Sequence, residues 1–200
     1  VPLSSRRSFS RPVAPSTGIV SSVGSATGWK QSYRPTSTLK MAAEDFNEAK
    51  YTEAAWASIV ALSNVADYYQ ATSIEAPLLL DVMLNPNKHN AGENAESAKK
   101  TVEKVLAKAG VKLKDLRAEL ESYLSRQAKV SDNSGQKTMG RSLQKVVETA
   151  RIGQNILGDS FVSTEGLLLA LVKEDTLFTR DALLKQNIKY TDILNAVKEM

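Results

Sequence analysis

Apolar side chains recur at helical spacing through most of residues 52–200, and this pattern predicts eight helices. Two of them, near 77–84 and 167–172, are apolar almost all round, as is typical of helices buried at the centre of a domain. The other six each carry one apolar stripe and are predicted near 52–69, 95–109, 115–127, 141–157, 178–186 and 192–200. No segment alternates between apolar and polar side chains in the manner of a bounded strand. We therefore expect an all-α fold.

The chain contains an internal repeat. Residues 74–84, IEAPLLLDVML, resemble residues 162–172, VSTEGLLLALV, at an offset of 88 positions. Both segments pass from a β-branched residue through a helix-start signal into an apolar run, with Thr164 as a candidate cap in the second copy. Farther along, KAGVKLKDLR at 108–117 resembles KQNIKYTDIL at 185–194 at an offset of 77 positions. The two offsets differ by 11, so the first copy carries about 11 extra residues, within 85–104.

Each copy of the repeat holds four of the predicted helices. The polar, glycine-bearing stretch at 129–140, KVSDNSGQKTMG, separates the two copies. We expect repeat one at about 46–127 and repeat two at about 138–200, packed as a pseudo-twofold bundle of antiparallel neighbours. Both copies turn before their fourth helix at a residue that tolerates the left-handed conformation, Gly110 or Asn187.

The positive charge of the chain is confined to its first part. The whole chain has a net charge of +4, but residues 1–43 hold six basic residues and no acidic one, which leaves 20 basic and 22 acidic residues in 44–200. A surface that binds nucleic acid needs a concentrated basic patch, so we expect no nucleic-acid partner. No apolar run approaches the roughly 18 residues of a transmembrane helix, so we expect no membrane partner either.

The first 40 residues contain 14 serines and threonines and four of the six prolines. This acid-free, hydroxyl-rich and arginine-bearing composition predicts that residues 1–42 are an organelle transit peptide without fixed structure. Prolines and glycines interrupt the basic amphipathic helix of a mitochondrial leader, so we favour the plastid, the chloroplast stroma, with the mitochondrion as the alternative. An ordinary disordered arm has the same composition.

The composition excludes most kinds of catalytic centre. There is no cysteine, which rules out disulfides, thiolate zinc sites and iron–sulfur clusters. The single histidine, His89, lies in a polar, asparagine-rich stretch where we expect it to be solvated. No glycine is followed by lysine, so the chain has no Walker-type phosphate loop. We predict no catalytic residue, no metal site and no cofactor, and hence no enzyme activity in this chain.

Two stretches resemble a known family. Residues 159–171, DSFVSTEGLLLAL, closely resemble GDS(F/Y)VSTEHLLLAL, the hallmark of the Clp N-terminal repeat (Clp R) domain, and YTEAAW at 51–56 is similar to its opening FTE-x-A-(Q/W). The resemblance covers about residues 46–200 and is strongest to the N-terminal domains of plastid ClpB-type disaggregases. The chain differs from the family at Gly166, where histidine is usual, at Ala76-Pro77-Leu78, where Thr-Glu-His is frequent, and in the insertion within 85–104.

The resemblance implies a recognition domain without catalysis. In ClpB-type disaggregases, which are hexameric ATPases, this domain binds exposed apolar segments of misfolded or aggregated polypeptides, and in related Clp proteins it docks adaptors. The implied function is therefore substrate or adaptor recognition, by a chain that alone is monomeric. The alternative is a free-standing Clp-N accessory protein that docks on the plastid Clp protease and regulates it.

The same resemblance points to five candidate residues. Asp159 and Glu165 match acidic positions of the hallmark that are linked to substrate handling, and Tyr51, Thr52 and Trp56 lie at the start of the first helix, where apolar residues of the family help form a shallow groove. Each has a structural alternative: Asp159 follows the helix end at Gly158, Glu165 favours a helix N-terminus, and the two aromatic residues can belong to the core.

Overall fold

The computed structural model describes residues 47–129 and 137–200, without the side chains of 155–157. The predicted leader at 1–42 lies outside the described residues. Two short 3-10 helices span Glu48–Lys50 and Pro86–His89, and two strands span Ser73–Ile74 (β1) and Thr138–Met139 (β2). The α-helices of the described ranges are α1 (Glu53–Val60), α2 (Leu62–Tyr68), α3 (Ala76–Leu84), α4 (Glu93–Lys108), α5 (Leu113–Ser125), α6 (Arg141–Leu157), α7 (Thr164–Glu174), α8 (Thr179–Lys185) and α9 (Tyr190–Lys198).

The predicted all-α fold is confirmed, and every predicted helix is present with its ends shifted by three residues or fewer. The helix predicted over 52–69 is divided at Ala61 into α1 and α2. Its hydrogen bonding nevertheless runs through the division, because the Ala61 N–H donates to Ala57 O at 3.1 Å and the Val65 N–H donates to Ala61 O at 3.2 Å. The two segments therefore serve together as the first helix of repeat one.

Several helix ends follow from local chemistry. The Ser163 Oγ accepts the Gly166 N–H at 3.1 Å and caps α7, so Ser163 is the cap and the buried Thr164 is not. The predicted left-handed turns are present at Gly110 and Asn187, with φ of 83° and 60°. Each turn is followed directly by the last helix of its repeat, α5 or α9, so a single residue with positive φ sets the direction of each final helix.

Two short parallel pairings join the repeats. In β1 and β2, Ile74 pairs with Met139, and elsewhere an isolated bridge pairs Tyr51 with Val162. The offset of 88 positions relates Tyr51 to Met139 and Ile74 to Val162. The residue two positions before the first helix of each repeat therefore pairs with the residue two positions before the second helix of the other repeat. These two equivalent pairings establish the pseudo-twofold relation between the repeats. Thr138 and Met139, at the predicted start of repeat two, thus pair with Ser73 and Ile74 of repeat one.

The core is built around α3 and α7, as their apolar sequences predict. All nine residues of α3 are buried, and so are Gly166–Val172 of α7. Leu80 and Leu168, which correspond at the offset of 88, are both almost completely inaccessible. Because these two helices contact each other and several of the remaining helices, the repeats share one hydrophobic core.

The prediction that His89 is solvated is wrong. The ring is buried, and its Nε2 lies 2.7 Å from Oδ2 of Asp81, a buried carboxylate in the middle of α3. A buried carboxylate needs polar partners, and His89 and Asn85, whose Nδ2 lies 2.7 Å from Oδ1, supply them. Asn64 also holds the inserted segment, within 85–104, in place, because its Nδ2 donates to His89 O at 3.2 Å. The first residues of this segment thus pack against α3, and Asp81 gains a third partner in the Tyr69 hydroxyl, which donates to Oδ2 at 3.1 Å.

Candidate functional site

The structure brings together the two segments that carry the predicted site residues. The Thr52 N–H donates to Val162 O at 3.0 Å, and the Val162 N–H donates to Lys50 O at 2.8 Å. These two bonds hold the start of α1 against the loop of residues 158–163 that joins α6 to α7. The candidate residues at 51–56 and at 159–165 therefore belong to one region of the surface.

At the start of α1, two of the three candidates are engaged inside the fold. The Tyr51 side chain is buried, with its ring centroid 5.7 Å from that of Trp56. The Thr52 hydroxyl accepts the Ala55 N–H at 3.3 Å and so caps α1. Trp56 is half-buried against the core and keeps part of its ring accessible. Of the three, Trp56 offers the most apolar surface to a ligand.

The two candidate carboxylates flank the loop between α6 and α7. Gly158, with a φ of 75°, ends α6, and the Asp159 N–H then donates to Gln154 O at 3.0 Å. Asp159 is exposed, while Glu165 lies in the first turn of α7 and is half-buried. Neither carboxylate has a hydrogen-bond or ion-pair partner in the part of the chain that the structure describes, so both remain available to bind a cation or a donor.

Two apolar side chains in the same region escape prediction from the sequence. Phe161 in the loop is 49% exposed, and Ile152 on α6 is 65% exposed. For Ile152 a signal does exist in the sequence. It lies nine residues after the buried Leu143, or two and a half turns at 3.6 residues per turn, and so faces away from the core stripe. Ile152 is therefore an apolar side chain on the polar face of α6.

Ile152 borders a shallow groove between α6, α7 and α9. The groove has a cavity volume of about 100 Å³, and Lys173 is the charged residue among those that line it. Gly166 lines the groove at the position where the hallmark has histidine. The other lining residues are Thr149, Gly153, Leu169, Ala170, Tyr190 and Leu194. The region thus combines an apolar groove with exposed apolar and acidic side chains.

The described residues contain no group of three histidine, aspartate or glutamate side chains placed to hold a metal ion. Among the same residues, no helix has both the length and the hydropathy that crossing a bilayer demands.

Comparison with known proteins yields a consistent group of relatives. The Clp repeat (R) N-terminal domain matches residues 50–186. Chaperone protein ClpB 2 of Nostoc sp. is 32% identical over 147 residues, which are 72% of this chain and 16% of that protein. The matched residues thus span less than a fifth of the length of this relative.

Relatives from plants carry organelle names. Chaperone protein ClpB2, chloroplastic, of Oryza sativa is 28% identical over 153 residues, 76% of this chain and 14% of that protein. Chaperone protein ClpB4, mitochondrial, of Arabidopsis thaliana is 26% identical over 154 residues, 77% of this chain and 15% of that protein. Both organelles of the predicted localisation are therefore represented among the relatives.

Among solved structures, the Hsp104 N-terminal domain of Candida albicans superposes with a TM-score of 0.60 at 14% identity. The match covers 74% of this chain and 88% of that domain. At this identity the likeness concerns the fold, and it agrees with the all-α pseudo-twofold architecture described above.

Proposed function

Since this chain belongs to the Clp repeat (R) N-terminal domain family, we propose that it is the polypeptide-recognition domain of a ClpB-type disaggregase. In this proposal it binds exposed apolar segments of unfolded or aggregated proteins. A domain of this kind is not catalytic by itself. Unfolded chains differ from folded ones by exposing apolar side chains, so an open apolar surface is the physical requirement for recognising them.

The observation that carries the proposal is the exposure of Ile152, which lines the α6–α7–α9 groove, and of Phe161 in the loop between α6 and α7. Single exposed apolar residues are ordinary, but here Ile152 lines an apolar groove, and Phe161 lies in the loop that is bonded to the start of α1, where Trp56 is half-buried. The groove is shallow, and a disordered ligand loses conformational freedom when it binds. We therefore expect affinities of roughly micromolar or weaker, which suit a domain that must release its substrate.

Asp159 and Glu165 add negative charge to this surface, whose groove is lined by the basic Lys173. Both carboxylates lack partners among the described residues and flank the loop that presents Phe161. In the proposal they favour polypeptide segments in which basic side chains lie next to apolar ones, because such segments can make apolar and ionic contacts together. The net charge of −2 for residues 44–200 provides little long-range attraction, so binding should depend only weakly on salt.

The binding test uses the full chain and fluorescently labelled casein as an unfolded substrate, followed by anisotropy. The double variant Ile152→Ser/Phe161→Ser should weaken binding about tenfold, because both side chains supply exposed apolar contact area. Its matched control is Leu184→Ser, at a leucine on α8 that is 49% exposed and outside the groove. Unchanged casein binding by the double variant would refute the proposed site.

A plastid location completes the proposal. Its support is the composition of residues 1–42 and the relatives named for the chloroplast and the mitochondrion. Residues 1–42 fused to a fluorescent protein should be imported by isolated chloroplasts and cleaved there. Import by isolated mitochondria instead would assign the alternative organelle, and import by neither would remove the transit-peptide prediction.

The accessory-protein alternative makes a different prediction. A regulator that docks on the Clp protease should bind the assembled protease core with the same affinity whether or not casein is present. A recognition domain of a disaggregase should bind casein and restore substrate processing when it is fused to a disaggregase motor that lacks its own N-terminal domain. The two measurements separate the functions without requiring the substrate to be known.

A further inference from the structure

The α6–α7–α9 groove lies in repeat two, and the three helices that form it have counterparts in repeat one. The offset of 88 relates α6 to α1 and α2 together, and it relates α7 to α3. The offset of 77 relates α9, which begins at Tyr190, to α5, which begins at Leu113. Each residue that lines the groove can therefore be compared with a counterpart in repeat one.

In repeat one, the inserted segment lies on these counterpart helices. The 3-10 helix Pro86–His89, at the start of the insertion, contacts α2 and α3. Lys88 of this 3-10 helix forms an ion pair with Glu121 on α5. In repeat two, the chain passes from α7 into α8 through residues 175–178, which are not among those that line the groove. The same surface is thus covered by the chain itself in repeat one and open in repeat two.

Two residues of repeat one bind His89 directly. The Asn64 Nδ2 donates to His89 O at 3.2 Å, and Oδ2 of Asp81 lies 2.7 Å from the His89 Nε2. At the offset of 88, the counterparts of Asn64 and Asp81 are Ile152 and Leu169, and both of these line the groove. The groove of repeat two therefore has the same position on its own helices as the place where His89 is bound in repeat one.

The inserted segment is bound as a single short turn. Pro86 and His89 are buried, whereas Asn87 is exposed and Lys88 is half-buried. Side chains at i and i+3 eclipse each other in a 3-10 helix, so the proline and the histidine lie on the same side of the turn. The Asn90 N–H donates to Pro86 O and closes the turn. A segment of four residues thus places two side chains against the helices beneath it.

The groove of repeat two favours an apolar side chain at the place of the histidine. In repeat one, the polar Asn64 and Asp81 accept the carbonyl and the ring of His89 as hydrogen-bond partners. Ile152 and Leu169, at the corresponding positions, have no polar side-chain atom. Burial of an imidazole against them would leave its ring nitrogens without partners from these two residues, which is costly. An aliphatic side chain carries no such cost.

The size of the groove limits its occupant to one side chain. Its cavity volume is about 100 Å³, somewhat less than the roughly 150 Å³ of a cavity that holds benzene. Part of this space lies beside Gly153, whose counterpart Val65 is completely buried. A Cβ at Gly153 would meet no atom within 4 Å. One aliphatic side chain the size of leucine therefore fills the groove.

We propose that the α6–α7–α9 groove binds a short turn of the form Pro-x-x-Φ, in which Φ is one aliphatic side chain, in the arrangement that the inserted segment adopts in repeat one. This inference rests on the function proposed above. It narrows the substrate class from apolar segments in general to segments with proline and an aliphatic residue three positions apart. Because proline already fixes one backbone angle, such a segment loses less conformational freedom on binding than other segments of similar apolar content.

The test compares two fluorescently labelled peptides on the full chain by anisotropy. SNPNQLNAS contains the sequence of residues 85–91 with glutamine and leucine in place of Lys88 and His89. SNPLQNNAS has the same composition, but its leucine directly follows the proline. The first peptide should bind at least about fivefold more tightly, because only the spacing i, i+3 puts both side chains on one side of the turn. Equal binding of the two peptides, or no binding of the first, would overturn the proposal.

Two variants locate the bound peptide. Gly153→Phe should fill the groove and lower binding of SNPNQLNAS at least about tenfold without lowering the melting temperature, since the site has room for a Cβ and glycine is a poor helix former. Ile152→Asn, at an exposed position, should lower binding about fivefold. Lys100→Phe, on the exposed face of α4, is the control and should leave it unchanged. Binding by Gly153→Phe that equals or exceeds that of the wild type would overturn the proposal.

Casein binding, measured in parallel, separates this inference from the function on which it rests. Competition against labelled casein by an excess of unlabelled SNPNQLNAS, and not by SNPLQNNAS, would support the Pro-x-x-Φ class. Casein binding together with equal binding of the two peptides would overturn that class and leave recognition of unfolded chains in place. Loss of casein binding and of peptide binding together would overturn both.

Discussion

The Glu75 carboxylate and the Ser142 hydroxyl cap each other's helices across the junction of the two repeats. The Ala76 N–H at the start of α3 donates to Ser142 Oγ at 2.9 Å, and the Ser142 N–H at the start of α6 donates to Glu75 Oε2 at 3.3 Å. The Ser142 hydroxyl also bonds to that oxygen. At the corresponding junction, Thr52 and Ser163 cap their own helices. At one junction, therefore, each helix is capped by the residue that directly precedes it. At the other, each helix is capped by a residue of the opposite repeat.

The reciprocal capping by Glu75 and Ser142 predicts that Glu75→Ala weakens the starts of both α3 and α6. We expect a loss of about 1–2 kcal/mol in the free energy of unfolding, because a cap and a partly buried hydrogen bond disappear together. Urea unfolding followed by circular dichroism measures it, with Thr52→Ala as the control for loss of a single local cap. A loss for Glu75→Ala well below that for Thr52→Ala would contradict the exchanged arrangement.

A substitution at Gly140 also tests the position of the Glu75 carboxylate. A Cβ at this position would collide with the Glu75 carboxylate. Gly140→Ala should therefore destabilise the wild type but cost little in the Glu75→Ala background, where the colliding group is gone. This coupling is measurable as a double-mutant cycle. Equal costs in the two backgrounds would show that Gly140 is needed for another reason.

The repeat makes a prediction about the core. Leu80 and Leu168 correspond at the offset of 88, and both are buried. Leu→Ala at either position should cost roughly 2–5 kcal/mol of unfolding free energy, since each removal leaves a cavity. Leu184→Ala, at an exposed position, is the control. Losses below about 1 kcal/mol at both sites would be incompatible with their burial.

The Asp81 carboxyl should make the free energy of unfolding decrease at low pH. Burial alone would raise the pKa of its carboxyl, but the hydrogen bonds from His89 and Asn85 and the charges of His89 and Lys88 outweigh burial and lower it. A carboxyl whose folded pKa is depressed stabilises the protein at pH values above its unfolded pKa of about 3.9, and this contribution is lost as the pH falls through the folded pKa.

The corresponding measurement is the free energy of unfolding between pH 7 and pH 2, for the wild type and for Asp81→Asn. The variant should be less stable than the wild type at pH 7, and its stability should fall less steeply below the unfolded pKa of about 3.9. Parallel curves for the two proteins would mean that the Asp81 carboxylate does not contribute to acid unfolding.

The candidate carboxylates can be tested by charge reversal. Asp159→Lys/Glu165→Lys should reduce capture of labelled casein with little change in melting temperature, because neither carboxylate has a described partner to lose. Glu93→Lys/Asp115→Lys is the matched control, since these residues lie in the first turns of α4 and α5. If the double variant binds casein as the wild type does, Asp159 and Glu165 serve only the helix ends.

Much of this protein is determined locally by its sequence. Helix positions follow from the spacing of apolar residues, because each turn of a helix depends on neighbours three and four positions away. The final turns follow from Gly110 and Asn187, since few residues tolerate a positive φ. The burial of α3 and α7 follows from apolar side chains on all their faces, and the repeat itself is visible as self-similarity before any coordinate is known.

The tertiary structure alone decides which of these local elements meet. The pairing of Tyr51 with Val162, the burial of His89 against Asp81 and the exchange between Glu75 and Ser142 join residues far apart in the chain, and local patterns carry no information about a distant partner. The exposure of Phe161 and Leu177 is decided in the same way, because an apolar side chain in a loop is covered or open according to what packs over it. The surface proposed here for substrate binding is therefore visible in the sequence only through Ile152, and it is completed when the repeats are assembled.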